Sequence, residues 1–244
     1  MRIPRKRCCC RRNPALEVEL IPLRSTVWAV LPFLFVLGGP PVAAQGGTQA
    51  QIRFTYENRN LQPPKYVVTV EEDGSGHFNS EGGGPTDSTT MSSEPQDRPI
   101  HISKALREAM FTTARKKKLF AISCDDGGKN IAFQGNKTLE YDGPEGKGSC
   151  MYNWSKNAQI DKLTDQFEAI AATLDEGGKL QRQYEHGRLS LDAEIQILEQ
   201  MVQDGRAMEL ENISPILETL AGDEAVLQRV QRRAQALLQG AKSD

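Results

Sequence analysis

The residues of this chain whose types and spacing could do chemistry are two cysteines, three histidines and a scatter of carboxylates. Cys124 and Cys150 are the only cysteines beyond residue 44. In an exported chain an isolated pair is read as a disulfide, because an oxidising compartment consumes free thiols. The bridge would close a loop of about 25 residues, worth about 3 kcal/mol in the chain-entropy model. Nucleophilic attack beside a histidine is the other chemistry open to a thiol. No cysteine-enzyme signature surrounds either position, so the structural bridge is the expectation.

His77, His101 and His186 are the only histidines. Their spacings match no zinc pattern, and no H-E-x-x-H occurs. Asp73-Gly74-Ser75-Gly76-His77 puts a carboxylate and an imidazole in one turn. Glycines stand there where a calcium loop needs oxygen ligands, so hairpin-turn chemistry is the reading. The G-x-S-x-G nucleophile elbow is absent. Arg115-Lys116-Lys117-Lys118 falls at the end of a predicted helix, where cations complement the dipole. Glu209-Leu210-Glu211 resembles any solvated helix face. Asn136-Lys137-Thr138 and Asn153-Trp154-Ser155 match the glycosylation acceptor pattern. These residues give no catalytic, cofactor-binding or metal-binding assignment, and only Cys124 and Cys150 are singled out, as a disulfide.

The elements that must position these residues begin after residue 44. Six basic residues between Arg2 and Arg12 precede an apolar run from Val27 to Leu37. A Gly-Pro break at Gly38–Pro41 and the small residues Val42-Ala43-Ala44 follow, the order of a secretory signal cleaved after Ala44. The run is shorter than the roughly 20 residues of a membrane span, and Pro32 interrupts it. Residues 1–44 hold seven of the 30 basic and two of the 32 acidic residues, leaving 23 and 30, a net charge of −7. That balance argues against nucleic acid or an anionic membrane as main partner.

Residues 45–51 form a polar leader. Ile52–Glu57 and Tyr66–Glu71 alternate apolar and polar, as half-buried strands do. Asp73–Gly76 turns the chain into His77–Ser80, and residues 81–97 read as a long solvated loop. A helix is predicted over Lys104–Lys117 with Ser103 as cap, then an extended Leu119–Ser123. A hairpin is predicted with Asn130–Gln134 and Lys137–Tyr141 about Gly135-Asn136, flanked by the two cysteines. From Ser155 the period changes to helical: Ile160, Leu163, Phe167, Ile170 and Leu174 form a stripe that Gly177-Gly178 is expected to weaken or end. Further stripes run over Leu191–Val202, from Pro215, and over Val226–Leu237. The class is α+β: an antiparallel β region with one helix over residues 52–154, then short amphipathic helices over 155–244.

Gln134–Leu139, Cys150–Ser155 and Ile213–Leu217 resemble uncharacterised exported bacterial proteins, in an organisation spanning Tyr66 to Leu238. The resemblance implies a periplasmic or extracellular setting and no particular activity. A non-enzymatic binding or scaffolding module of the cell envelope, engaging an envelope or extracellular protein, is the functional expectation. The alternative is a small secreted hydrolase or hydrolase inhibitor. Amino-terminal sequencing of the exported protein from a bacterial host is expected to begin at Gln45; a product that still begins at Met1 would refute the cleavage.

Overall fold

Strict alternation builds the sheet. In β1 (Gln51–Glu57) Ile52, Phe54 and Tyr56 turn inward, while Gln51, Arg53, Thr55 and Glu57 turn outward. β2 (Lys65–Glu71) pairs with it antiparallel and in register, Phe54 opposite Val68 and Tyr56 opposite Tyr66, so one face collects the apolar side chains. β3 (Ser75–Ser80), β4 (Gln96–His101), β5 (Asn136–Gly143) and β6 (Gly146–Tyr152) complete an antiparallel sheet in the order β4-β3-β2-β1-β5-β6. The computed structural model describes residues 49–83, 94–125 and 131–241. The expected export signal, most of the leader, residues 84–93 of the long loop and residues 126–130 lie outside these.

The helices gather on the inward face. α1 (Lys104–Lys116) carries the chain from edge strand β4 back to β5 beside β1, burying Leu106, Met110, Phe111 and Ala114. Phe111 meets Tyr141 of β5 edge to face, with centroids 6.3 Å apart. α2 (Ala158–His186) is capped by Asn157, whose side chain accepts from the Gln159 amide at 3.2 Å, with Asp161 favourably in the first turn. Phe167 of α2 stacks on Phe54 of β1 at 5.1 Å. α3 (Leu191–Gln203), α4 (Ser214–Gly222) and α5 (Gln228–Ala241) follow, and α2 packs against both α3 and α4. A strand-rich half followed by a helix-rich half makes the chain α+β, and sheet and helices share one core within the unit Gln45–Asp244.

Three local expectations fail, each for a physical reason. α2 runs unbroken through Gly177-Gly178 over 29 residues, so it is not short. A β-carbon on Gly177 would lie 2.3 Å from Ile213 Cγ2, so tertiary packing requires the glycine that helix propensity disfavours. The hairpin forms one strand later: β5 pairs with β6 around Pro144-Glu145, and residues 131–135 are not strand. Gly135 uses its positive φ of 107° to carry the chain against the Tyr56 ring instead of making a two-residue turn. Lys118–Phe120 is a short 3-10 turn, not extended chain.

Gly177→Ala is expected to destabilise by about 1–3 kcal/mol, although propensity alone would stabilise the helix. Gly178→Ala, which meets only the movable ends of Gln96 and Arg182, is expected to change stability by under about 1 kcal/mol. Urea unfolding of the two variants checks both. Loss of the Phe167 ring in Phe167→Ala is expected to cost about 3–5 kcal/mol by the same measurement.

Candidate functional site

Because the described helices all seat on one face, the pairing register gives the composition of the other. One row across it runs Asp97, Asn79, Val67, Thr55, Thr138 and Met151; the next runs Pro99, His77, Thr69, Arg53, Glu140 and Ser149. Met151 is 69% exposed. His77 Nε2 pairs with Asp97 Oδ1 on adjacent strands, their side chains 52% and 70% exposed. Towards β5 and β6, Gln51, Arg53, Glu140, Asp142, Lys147 and Ser149 border a shallow polar depression of 440 Å3. The mix of hydroxyls, both charges and a few apolar tips suits a protein surface better than a small apolar ligand.

Both edges of this sheet are closed. On β4, Pro99 offers no amide hydrogen, and Asn212 clamps His101: its Oδ1 accepts from the His101 amide at 2.7 Å and its Nδ2 donates to the His101 carbonyl at 2.8 Å. Arg98 Nη2 donates to the Asn212 carbonyl at 2.5 Å. On the β6 side, Lys118, Leu119 and Phe120 all hold positive φ, 53°, 57° and 65°, a strained turn costing about 1–3 kcal/mol per residue. Burial of Phe120 offsets part of that cost, and the turn lays the Leu119 carbonyl where Gly148 has no side chain. Cys124 and Cys150 then join as a disulfide, Cα atoms 5.7 Å apart, tying this cover to β6.

The histidines are not assembled into a cleft. His77 and His101 share the open face, on β3 and β4, while His186 ends α2. Asp73 accepts from the Ser75 amide at 2.7 Å and from its hydroxyl at 2.6 Å; these bonds hold its carboxyl below the usual range and build the turn. Arg115 bridges Glu72 at 2.5 Å and Glu145 at 2.8 Å, so the first residue of the basic run is anchored to carboxylates. Glu209 accepts from the amide of Ser103 at 2.9 Å and its hydroxyl at 2.6 Å, taking over at the start of α1; the serine makes no capping bond of its own. Asn136 is exposed at the start of β5, while Asn153 Oδ1 accepts from the Gln134 amide at 2.6 Å.

Sequence reasoning missed a polar row inside the core. Tyr152, Lys137, Tyr56, Tyr66 and Ser80 stand in register across five strands on the inward face. Lys137 is buried and pairs with Glu168 of α2 at 3.1 Å, and the Tyr152 hydroxyl bonds Thr164 at 2.5 Å. Burial first, then the Glu168 charge, raises the Tyr66 phenol well above its ordinary value. Counting by twos from Leu139 would have found Lys137 facing inward. The other partners also come from outside the row: the Tyr56 hydroxyl donates to the Gln134 carbonyl at 2.9 Å, and Ser80 Oγ accepts from the Gln96 amide at 3.2 Å.

Among the described residues no group of three or more His, Cys, Asp and Glu side chains could hold a metal ion, and no helix is long and apolar enough to cross a membrane. A second cavity of 540 Å3, walled by Leu106, Val202, Met208 and Leu210 with Glu209 and Glu211, lies beside the start of α1. Neither cavity includes a histidine. Compared with known proteins, the chain matches no family model and no curated sequence. Replacing both Cys124 and Cys150 by serine is expected to cost about 3 kcal/mol, the loop-closure value, with the strained 118–120 turn gaining hydrogen exchange first; calorimetry with exchange measurements reads both.

Proposed function

We propose that this chain is an exported, non-enzymatic binding module of the bacterial cell envelope, periplasmic or extracellular, that presents the open face of its sheet to a protein partner. The observation that carries the reading is the one-sided fold: six strands covered by helices on one face, with charged, hydroxyl and apolar residues displayed on the other. A rigid surface loses little conformational entropy on binding. Disulfide bonding of Cys124 and Cys150 supports an oxidising compartment, and the resemblance to exported bacterial proteins supports the envelope. A net charge of −7 beyond residue 44 favours a partner with a complementary basic surface.

One observation favours the alternative, a small secreted hydrolase or hydrolase inhibitor. The His77–Asp97 pair is an imidazole held by a carboxylate, the orienting half of a general base, with Thr69 directly opposite His77 in register. On an exposed strand pair it lacks the enclosing cleft that would exclude water from a substrate.

Cross-linked capture from the native host tests the proposal with three forms of the protein. Wild type is expected to enrich one stoichiometric envelope partner. The double variant Thr138→Lys, Glu140→Lys on the open face, which opposes a basic partner, is expected to lose it at least tenfold, about 1.4 kcal/mol. Arg232→Glu on the exposed side of α5 is expected to retain it. Equal recovery with all three would refute the open face as the docking surface, and hydrolytic activity lost in His77→Ala would favour the alternative.

A further inference from the structure

Midway along α2 a group of charged side chains lies between this helix and α3. Glu176 and Gln183 are each 5% exposed, and Asp175 is 8% exposed. Lys179 Nζ stands 2.5 Å from Glu176 Oε1 and 2.9 Å from Asp175 Oδ2, so one ammonium serves two carboxylates. The second oxygen of Glu176, Oε2, is buried with no hydrogen-bond partner. Across the interface, Glu194 of α3 is within hydrogen-bonding reach of Glu176 and also accepts from Gln183 Nε2 at 2.8 Å. Gln96 of β4 against Gly178 and Ile213 against Gly177 also reach this stretch, both uncharged, with the Arg182 guanidinium beside Gly178. Arg182, the next cation along α2, has its Nε buried without a partner.

Two ionised carboxylates cannot hydrogen-bond each other, and one lysine cannot neutralise three of them. A proton placed between Glu176 and Glu194 resolves both difficulties. It turns the orphaned Oε2 into a donor, gives Glu194 a second bond, and lowers the negative charge of the cluster by one. We propose that Glu176 and Glu194 share one proton and thereby form a pH-sensitive clasp between α2 and α3, closed while the proton is held and weakened when it leaves.

Burial, followed by the bond to Glu194, pushes the Glu176 carboxyl up to about 7 from its ordinary 4.5, while Lys179 opposes the shift. Between those two values the folded protein holds a proton that the unfolded chain has released, so stability falls as pH rises. The clasp contributes fully below 4.5, loses its contribution across the window, and gives none above about 7. Within the window a fully coupled proton changes the unfolding constant about tenfold per pH unit.

The test is urea unfolding of the purified protein from about pH 4.5 to 8, with carboxyl 13C NMR titration of the same samples. The wild-type unfolding constant is expected to rise at least about tenfold more over this range than that of Glu176→Gln, which mimics the protonated acid. NMR is expected to show one glutamate titrating near neutrality in the wild type. In Glu194→Gln its midpoint is expected to fall, because the amide donates to an ionised Glu176. Parallel pH profiles for wild type and Glu176→Gln overturn the proposal. A midpoint unmoved in Glu194→Gln also overturns it, since burial alone would then account for the shift. Should Glu176→Gln fail to fold, the wild-type titration decides: no glutamate with a midpoint above about 6 refutes the shared proton.

Discussion

Everything in this fold hangs on α2 lying against the centre of the sheet. The stack of Phe167 on Phe54 sets that helix over the central strand β1, and the buried residues Ile160, Leu163, Ile170 and Leu174 extend the seam. From this helix the rest is placed in turn. Gly177 admits Ile213, which brings the following turn and α4 into contact. Thr173 Oγ1 accepts from the Met208 amide at 2.9 Å, locking the return from α3. Tyr184 donates to Asp223 at 2.9 Å near the far end, where the chain passes from α4 to α5. One long helix therefore serves as the inner layer to which both the sheet and the other helices are referred.

That arrangement concentrates polar groups at helix interfaces where an apolar core would suffice. Lys137 with Glu168 faces the sheet; Lys179 with Asp175 and Glu176 faces α3. Buried ion pairs contribute little net stability, because desolvation consumes most of the attraction. Their consequence here is register. A one-turn slide of α2 would leave Lys137 unpaired under the sheet, and leaving a buried charge alone costs about 3–5 kcal/mol.

The sequence makes some of this legible and conceals the rest for identifiable reasons. Ile52, Phe54 and Tyr56 alternate with polar neighbours, so β1 and its inward face are readable from period alone. The same alternation distinguishes the outward residues, yet no local signal says that helices seat on one face only. The unbroken α2 was hidden because the glycine pair answers to Ile213 and Gln96, residues distant in the chain. For the hairpin, Gly135-Asn136 competed with Asp142-Gly143-Pro144-Glu145-Gly146, whose two glycines and proline were the stronger turn signal. The pairing of His77 with Asp97 spans the loop between β3 and β4, and only strand pairing brings the two together.

The two sheet borders are closed by different means, and this difference has a consequence for the life of the chain. At β4 the closure is a proline and one asparagine, present as soon as the chain folds. At β6 it is a strained turn tethered by an oxidised cysteine pair. Newly folded chains whose thiols are still reduced hold that second border with packing alone. An exposed row of backbone donors and acceptors recruits a neighbouring strand, the first step of polymerisation. Oxidation of the pair thus fixes the cover over the one border where a neighbouring strand would otherwise add.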